Sequence, residues 1–177
     1  MMTQYVVVSD AHGDAAILNR IRQAYQGRVD QLFYLGDAEL KSTDPSLQAY
    51  QVVAGNMDTD PAFPKERVYQ DPTARLYLSH GHLYHSQRDP LALLLAGKEQ
   101  HADIILTGHT HRLGVELVDC CLMLNPGSIA LPRGPYANIG GIYAILTVTA
   151  NTFGVAFYNR QLEKVPTLSV QIARPKN

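Results

Sequence analysis

The 177-residue sequence predicts an α/β sandwich, two sheets packed face to face with helices outside, and three observations predict it. The first half alternates short aromatic or β-branched runs with helical periodicity. The second half closes on extended runs with few helices between them. Hydrophobic residues make up 46% and charged residues 18%, which supports a sizeable buried core and leaves little room for disorder. No repeat, low-complexity segment or linker interrupts the pattern, so one domain over residues 1–177 is expected.

Taken in order, Tyr5-Val6-Val7-Val8 is too short for a helix and reads as a buried strand. Asp14 can cap a helix whose Ile17, Leu18, Ile21 and Tyr25 share one face and which stops near Gly27. A second buried run, Leu32-Phe33-Tyr34-Leu35, closes on Gly36-Asp37. A polar segment with Asp44-Pro45 leads to a third run, residues 50–53, followed by Ala54-Gly55-Asn56-Met57-Asp58. After a loop marked by Pro61 and Pro64, Val68-Tyr69 and residues 74–78 precede Ser79-His80-Gly81-His82. Asp89-Pro90 starts a helix whose leucines at 91–95 are read as core, with Leu91, Leu94 and Leu95 facing inward. Residues 104–106 form the strand that delivers Thr107-Gly108-His109-Thr110-His111. Extended runs at 115–118 and 122–124, the loop Asn125-Pro126-Gly127-Ser128, and a hairpin of 142–148 with 153–158 around Ala150-Asn151 complete the chain; the segment from Pro166 carries no clear pattern.

The totals exclude several classes. A net charge of −1 and a pI of about 6.6 provide no basic field for a nucleic-acid backbone. The apolar patch 91–96 is far too short to span a bilayer, and residues 1–9 carry no charged segment ahead of the apolar run, so neither a membrane span nor a signal peptide is expected. Cys120 and Cys121 are adjacent and make no disulfide framework; they are read as a buried or edge strand pair in a cytoplasmic protein. His85 and His101 read as surface or helix-end residues. Exposed aromatics such as Tyr136 make a homo-oligomer a candidate state.

Five apolar runs end in a residue able to bind a metal: Asp10, Asp37, Asn56, His80 and His109. Ligands in open α/β sheets gather outside the carboxyl ends of strands, where successive loops converge. His109 and His111, one residue apart on a tight turn, are poorly placed to chelate one ion and well placed to serve two neighbouring ions. Two such ions repel unless an anionic ligand lies between them, a role open to Asp37. Asp10 and His12 could join one of the two turn histidines at the first ion, while Asn56 and His80 suit the second. A mixed N/O set without thiolate fits Mn, Fe, Zn or Ni and argues against a structural zinc of the cysteine type.

In this order, Asp10-x-His12, Gly36-Asp37, Gly55-Asn56-x-Asp58, His80-Gly81-His82 and Gly108-His109-x-His111 resemble the calcineurin-like metallophosphoesterases, over about residues 5–160. Short length and Asn125-Pro126-Gly127-Ser128 look like the small bacterial and archaeal phosphodiesterase branch (YfcE/YsnB-like). The resemblance implies a four-layered αββα sandwich and two divalent ions, manganese first, with nickel, zinc or iron as alternatives. It places Asp10, His12, Asp37 and His111 on the first ion and Asp37, Asn56, His80 and His109 on the second; these last four are also the candidate catalytic residues. The implied reaction is in-line attack on phosphorus by a metal-bridging water or hydroxide, on a small phosphodiester. A phosphomonoesterase on the same site, and a protein-binding scaffold of the same fold as in a eukaryotic sorting-complex subunit, are the alternatives.

Arg112 and Arg133 are candidate phosphate partners, against the ordinary reading of arginine as surface charge. Many family members carry a histidine after the motif asparagine that assists the leaving group. Met57 stands there and cannot donate a proton. His82 or Asp58 could substitute, though Asp58 reads better as a residue orienting Asn56 or a neighbouring loop.

Overall fold

Alternate side chains of β1 (Met2–Val8) point to two different cores, and that alternation sets the layering. Tyr5 and Val7 enter the apolar core between two sheets, while Val6 and Val8 face the helix α1 (Ala15–Tyr25). The computed structural model describes residues 1–175.

The first sheet joins β1 to β2 (Gln31–Tyr34), β3 (Tyr50–Val52), β9 (Ile142–Thr149), β10 (Thr152–Asn159) and β11 (Val170–Ala173), in the order β11-β10-β9-β1-β2-β3. The second contains β4 (Glu66–Gln70), β5 (Arg75–Ser79), β6 (Ile104–Leu106), β7 (Leu113–Val118) and β8 (Cys121–Pro126), in the order β4-β5-β6-β8-β7. β1, β2 and β3 run parallel, as do β5, β6 and β8; the remaining pairings are antiparallel. Tyr5, Phe33, Leu146 and Phe157 of one sheet meet Leu76, Leu78, Leu106 and Leu124 of the other in one buried cluster. A helix on each outer face makes four layers, αββα, as the sequence predicts.

Asp14 caps α1 by accepting the Ile17 N–H at 3.1 Å, and Ile17, Leu18 and Ile21 are buried against the first sheet. The second helix, α2 (Leu91–Glu99), corrects the sequence reading. It buries Leu93, Leu94 and Gly97 against Tyr77 and Ile105, whereas Leu91 and Leu95, expected to face inward, are each 52% exposed. A run of leucines gives no periodicity to choose a face. Gly97 makes the choice, because a Cβ there would lie 2.4 Å from Ile105 Cδ1. Asp89 accepts from the Leu91 N–H at 2.9 Å and so opens the helix as expected. The two cysteines are not a strand pair: Cys120 is exposed in the β7–β8 turn at φ 66° and Cys121 is buried at the start of β8. The segment from Pro166 supplies the edge strand β11. Among the described residues no helix is long and apolar enough to cross a membrane.

Candidate metal centre

The loops after β1, β2, β3, β5 and β6 meet, and they bring all seven expected residues to one place. Asp10, His12, Asp37 and His111 each offer a ligand atom within 4.8 Å of the others. His80 Nε2 lies 3.4 Å from Asp37 Oδ2, 3.9 Å from Asp10 Oδ1 and 3.2 Å from Asn56 Oδ1. The His109 ring is 5.1 Å from that of His80. His111 therefore stands beside Asp10, at 3.2 Å from Oδ1, and His109 beside His80, dividing the pair between two sides of the centre.

These loops hold unusual backbone. Asp10, His12, Asp37, Glu39, His109 and His111 all have positive φ, from 45° to 66°, a region that side-chain-bearing residues enter at a cost. Glycine makes the close approach feasible: a Cβ on Gly55 would fall 2.0 Å from Asp37 Oδ1 and 2.4 Å from the Asp37 nitrogen.

The protons of three imidazoles are fixed by their outer partners. His80 Nδ1 lies 2.6 Å from Leu35 O, and His111 Nδ1 lies 2.7 Å from Leu131 O. Carbonyl oxygens only accept, so both Nδ1 atoms donate. His12 Nδ1 meets Glu39 Oε1 at 2.6 Å in the same sense. Each Nε2 is thereby turned inward. There the His12 and His111 Nε2 atoms face one another at 3.3 Å, and His80 Nε2 faces two oxygens. Asp10 Oδ1 is buried and no group donates to it in hydrogen-bond geometry. Converging lone pairs with a buried carboxylate oxygen are what a cation satisfies, and the residues present fit divalent metal.

Charges point the same way. Burial works against charge on His80, yet the Asp37 hydrogen bond and the carboxylates of Asp10 and Asp37 hold its pKa above the usual value. The Asp10 carboxylate, 3.2 Å away, raises His111 against its own burial. Burial and then the charge of His80 lower His109 and His82. Asp37 is held low because the His80 hydrogen bond and charge, with the Met57 N–H at 2.8 Å, outweigh its burial. The two carboxylates thus favour positive charge at His80 and His111, the place divalent cations would take.

Of the supports around the cluster, Asp58 orders neighbouring loops as the sequence suggests, while Glu39, Ser128 and Asn125 were not assigned a role. Asp58 accepts the Asp37 and Gly55 N–H groups at 2.8 and 2.7 Å and the Glu39 N–H at 2.8 Å, so it orders the loops after β2 and β3 through their main chain. Ser128 Oγ donates to Asp10 O at 2.8 Å, and Asn125 Nδ2 donates to Gly108 O at 2.7 Å, bracing the first and last motifs from one loop. Glu39 had a readable signal, since it follows Asp37 at the interval that separates Asp10 from His12. His82 stands 5.4 Å from His80 between ring centres, and Met57 is half exposed with no group able to give a proton. Arg112 and Arg133 are exposed and line a pocket beside His109. His85 and His101 are exposed at turns away from the cluster, as expected. A cavity of about 640 Å³, lined in part by Gln4, Tyr25, Arg28 and Lys164, lies toward the other end of β1 and takes no part in the centre.

The chain is similar to several known proteins. The profile of the calcineurin-like phosphoesterase superfamily domain matches residues 3–151. A Bacillus subtilis protein described as a probable metallophosphoesterase, YsnB, is 33% identical over 167 residues, 94% of this chain and 97% of its own. The crystal structure of a conserved Streptococcus pneumoniae protein, described as a predicted phosphoesterase, superimposes with a TM-score of 0.95 at 34% identity, covering 98% of this chain and 99% of that one. The fold alone is shared with Vacuolar Protein Sorting 29 of Cryptosporidium parvum, at 18% identity, a TM-score of 0.76 and 99% of each chain. With five strand ends converging on one buried acid and histidine cluster, and a family profile spanning most of the sequence, the chain belongs to the calcineurin-like phosphoesterase superfamily.

Proposed function

We propose that this metal-dependent phosphoesterase is a phosphodiesterase acting on a small substrate in the cytoplasm with two divalent ions, manganese first and nickel, zinc or iron as alternatives. Asp10, His12, Asp37 and His111 would hold one ion, and Asp37, Asn56, His80 and His109 the other. Bound there, the ions supply Lewis acidity, neutralising charge on phosphate oxygens and lowering the pKa of water.

One observation carries the reading: three imidazoles have Nδ1 fixed outward and Nε2 turned onto a pair of buried carboxylates. A structural role gives no reason for this arrangement. Two buried carboxylates held together cost stability unless cations or protons compensate them. The chain's own residues do the positioning. Asn56 sits exposed at the mouth, where its amide can meet a phosphate oxygen. Burial and then the charge of His80 lower the pKa of His109, which favours a free lone pair on its ring. With Met57 giving no proton, the leaving group departs on its own acidity.

A second reading, a protein-binding scaffold, is favoured by the shared fold with Vacuolar Protein Sorting 29. A phosphomonoesterase differs only in substrate. One assay separates the three. Metal-stripped protein is given Mn, Ni, Zn or Mg and offered bis-p-nitrophenyl phosphate or p-nitrophenyl phosphate, beside an Asp37→Ala control. Metal-dependent turnover of the diester, absent in the control, is expected. Turnover of the monoester alone would give the monoesterase, and failure to bind metal would give the scaffold.

A further inference from the structure

We infer that the pocket holding Arg112 and Arg133 is a second anion subsite, so that the substrate is a phosphodiester one arm of which ends in another phosphate or carboxylate; this rests on the phosphodiesterase reading above. The pocket, about 450 Å³, is lined by Ser86, Gln87, His109, Thr110, Arg112 and Arg133, and it opens directly off the candidate ligand His109. That volume suits a small organic ligand rather than a lone ion.

Its charge is the telling feature. Among the described residues, the ion pairs made by lysine or arginine are Lys98–Asp119, Arg160–Asp14 and Arg174–Asp103; Arg112 and Arg133 are in none of them. Beside them the lining consists of Ser86, Gln87, Thr110 and the His109 imidazole, with no carboxylate among them. Two guanidinium groups, charged at any physiological pH, therefore share one pocket with no acid. Such an arrangement repels itself until an anion arrives. The scissile phosphate belongs at the acid and histidine cluster, so the anion expected here is another one.

The backbone carries both arginines on the rim of this pocket. The Arg133 N–H donates to His111 O at 2.9 Å, tying the loop of residues 130–134 to the motif that ends in His111. Arg112 follows that histidine and lies on the same turn: a Cβ on Gly134, at φ 84°, would sit 3.2 Å from Arg112 Cγ and 3.5 Å from its Cδ. Ser86, Gln87 and Thr110 add neutral hydrogen-bonding groups to the lining. The forked geometry of guanidinium selects a planar carboxylate or a phosphate over a diffuse anion.

The test uses two nucleoside p-nitrophenyl phosphodiesters that differ only by a second phosphate on the far side of the sugar. The metal-loaded protein is expected to favour the phosphorylated one in kcat/KM by roughly 10-fold or more, mainly through KM, as charge-assisted hydrogen bonds provide. In the Arg112→Ala/Arg133→Ala double variant the preference should collapse toward unity, and the Arg112→Lys/Arg133→Lys variant should recover part of it. Circular dichroism of each variant checks the fold. Equal rates on the two diesters in the native protein, or a preference that survives in the double alanine variant, would overturn the inference while the phosphodiesterase stands. No turnover of either diester with any metal would overturn that reading and the inference with it.

Discussion

The Asp58 carboxylate holds Asp37 by its main chain, accepting the Asp37 N–H at 2.8 Å through the same oxygen that accepts from Gly55 at 2.7 Å. One side chain thus sets the spacing between the loops after β2 and β3. Replacing Asp58 with alanine should leave these N–H groups unpaired, lowering stability by about 2–3 kcal/mol and Mn affinity by about 10-fold or more. Urea denaturation and calorimetric Mn titration would report the two effects separately. Unchanged affinity in a folded variant would reduce Asp58 to a turn residue.

Glu39 faces the outer nitrogen of His12 at 2.6 Å. The Glu39→Gln variant keeps an acceptor but loses the charged partner that fixes the orientation of the imidazole. Mn affinity should fall by about 10-fold with stability little changed, since outer partners of metal-binding histidines contribute at this level. A titration curve superimposable on the native one would refute this.

At Gly55 the space itself is decisive. A methyl group would collide with the Asp37 side chain and main chain at once, and neither can retreat, for Asp37 is tied to Asp58 and to the Met57 N–H. Gly55→Ala should cost about 3 kcal/mol and abolish phosphodiester hydrolysis. A native denaturation midpoint in that variant would contradict the closeness described.

Far from the centre, Asp71 accepts from the Thr73 N–H at 2.7 Å, the Ala74 N–H at 3.1 Å, the Thr73 hydroxyl at 2.6 Å and the Tyr5 hydroxyl. Burial opposes the charge, but the hydrogen bonds win and the carboxyl pKa is lowered, while burial and Asp71 push Tyr5 up to about 12. A lowered carboxylate contributes stability above its unfolded pKa, near 3.9, and loses it as pH falls through the folded value. Asp71→Asn should therefore cost about 1–2 kcal/mol at neutral pH, and the gap from native should close as the pH drops below about 4. Urea midpoints across that range test the direction.

Leaving-group dependence follows from Met57. With no proton donor beside Asn56, aryl diesters should turn over roughly 100-fold or more faster than alkyl diesters, because a phenolate departs unassisted. A series of diesters graded in leaving-group pKa would show a steep negative slope. A flat series would reveal a general acid, and His82 would be the first residue to substitute.

How far the sequence carried the reading differs between parts of the molecule. The strand ends at Asp10, Asp37, Asn56, His80 and His109 were legible because each closes an apolar run and has glycine nearby. That they converge depends on the two parallel sets of strands, whose alternation was also visible. The face of α2 was not legible, since Leu91, Leu93, Leu94 and Leu95 are equally apolar and only contact between Gly97 and Ile105 selects among them. Glu39, Ser128 and Asn125 escaped notice for another reason. Their partners are a ring nitrogen and main-chain carbonyls far away in sequence; the interval from Asp37 marks Glu39 as a candidate, but no local pattern names the partner of any of the three. The turn at Cys120 was hidden because its φ of 66° contradicts the strand preference of its neighbours.

The position of β1 bears on how the molecule is made. One side of this strand pairs with β2, which leaves the ribosome soon after it; the other side waits for β9, with Met2 opposite Thr149. Until then an apolar strand carries an open edge, the condition that invites association between nascent chains. The loop holding Asp10 and His12 likewise lacks Ser128 and His111 until most of the chain has been synthesised. The centre can assemble only after residue 128 has been made, so a chain stopped short of it would leave the cluster incomplete and β1 open on one side.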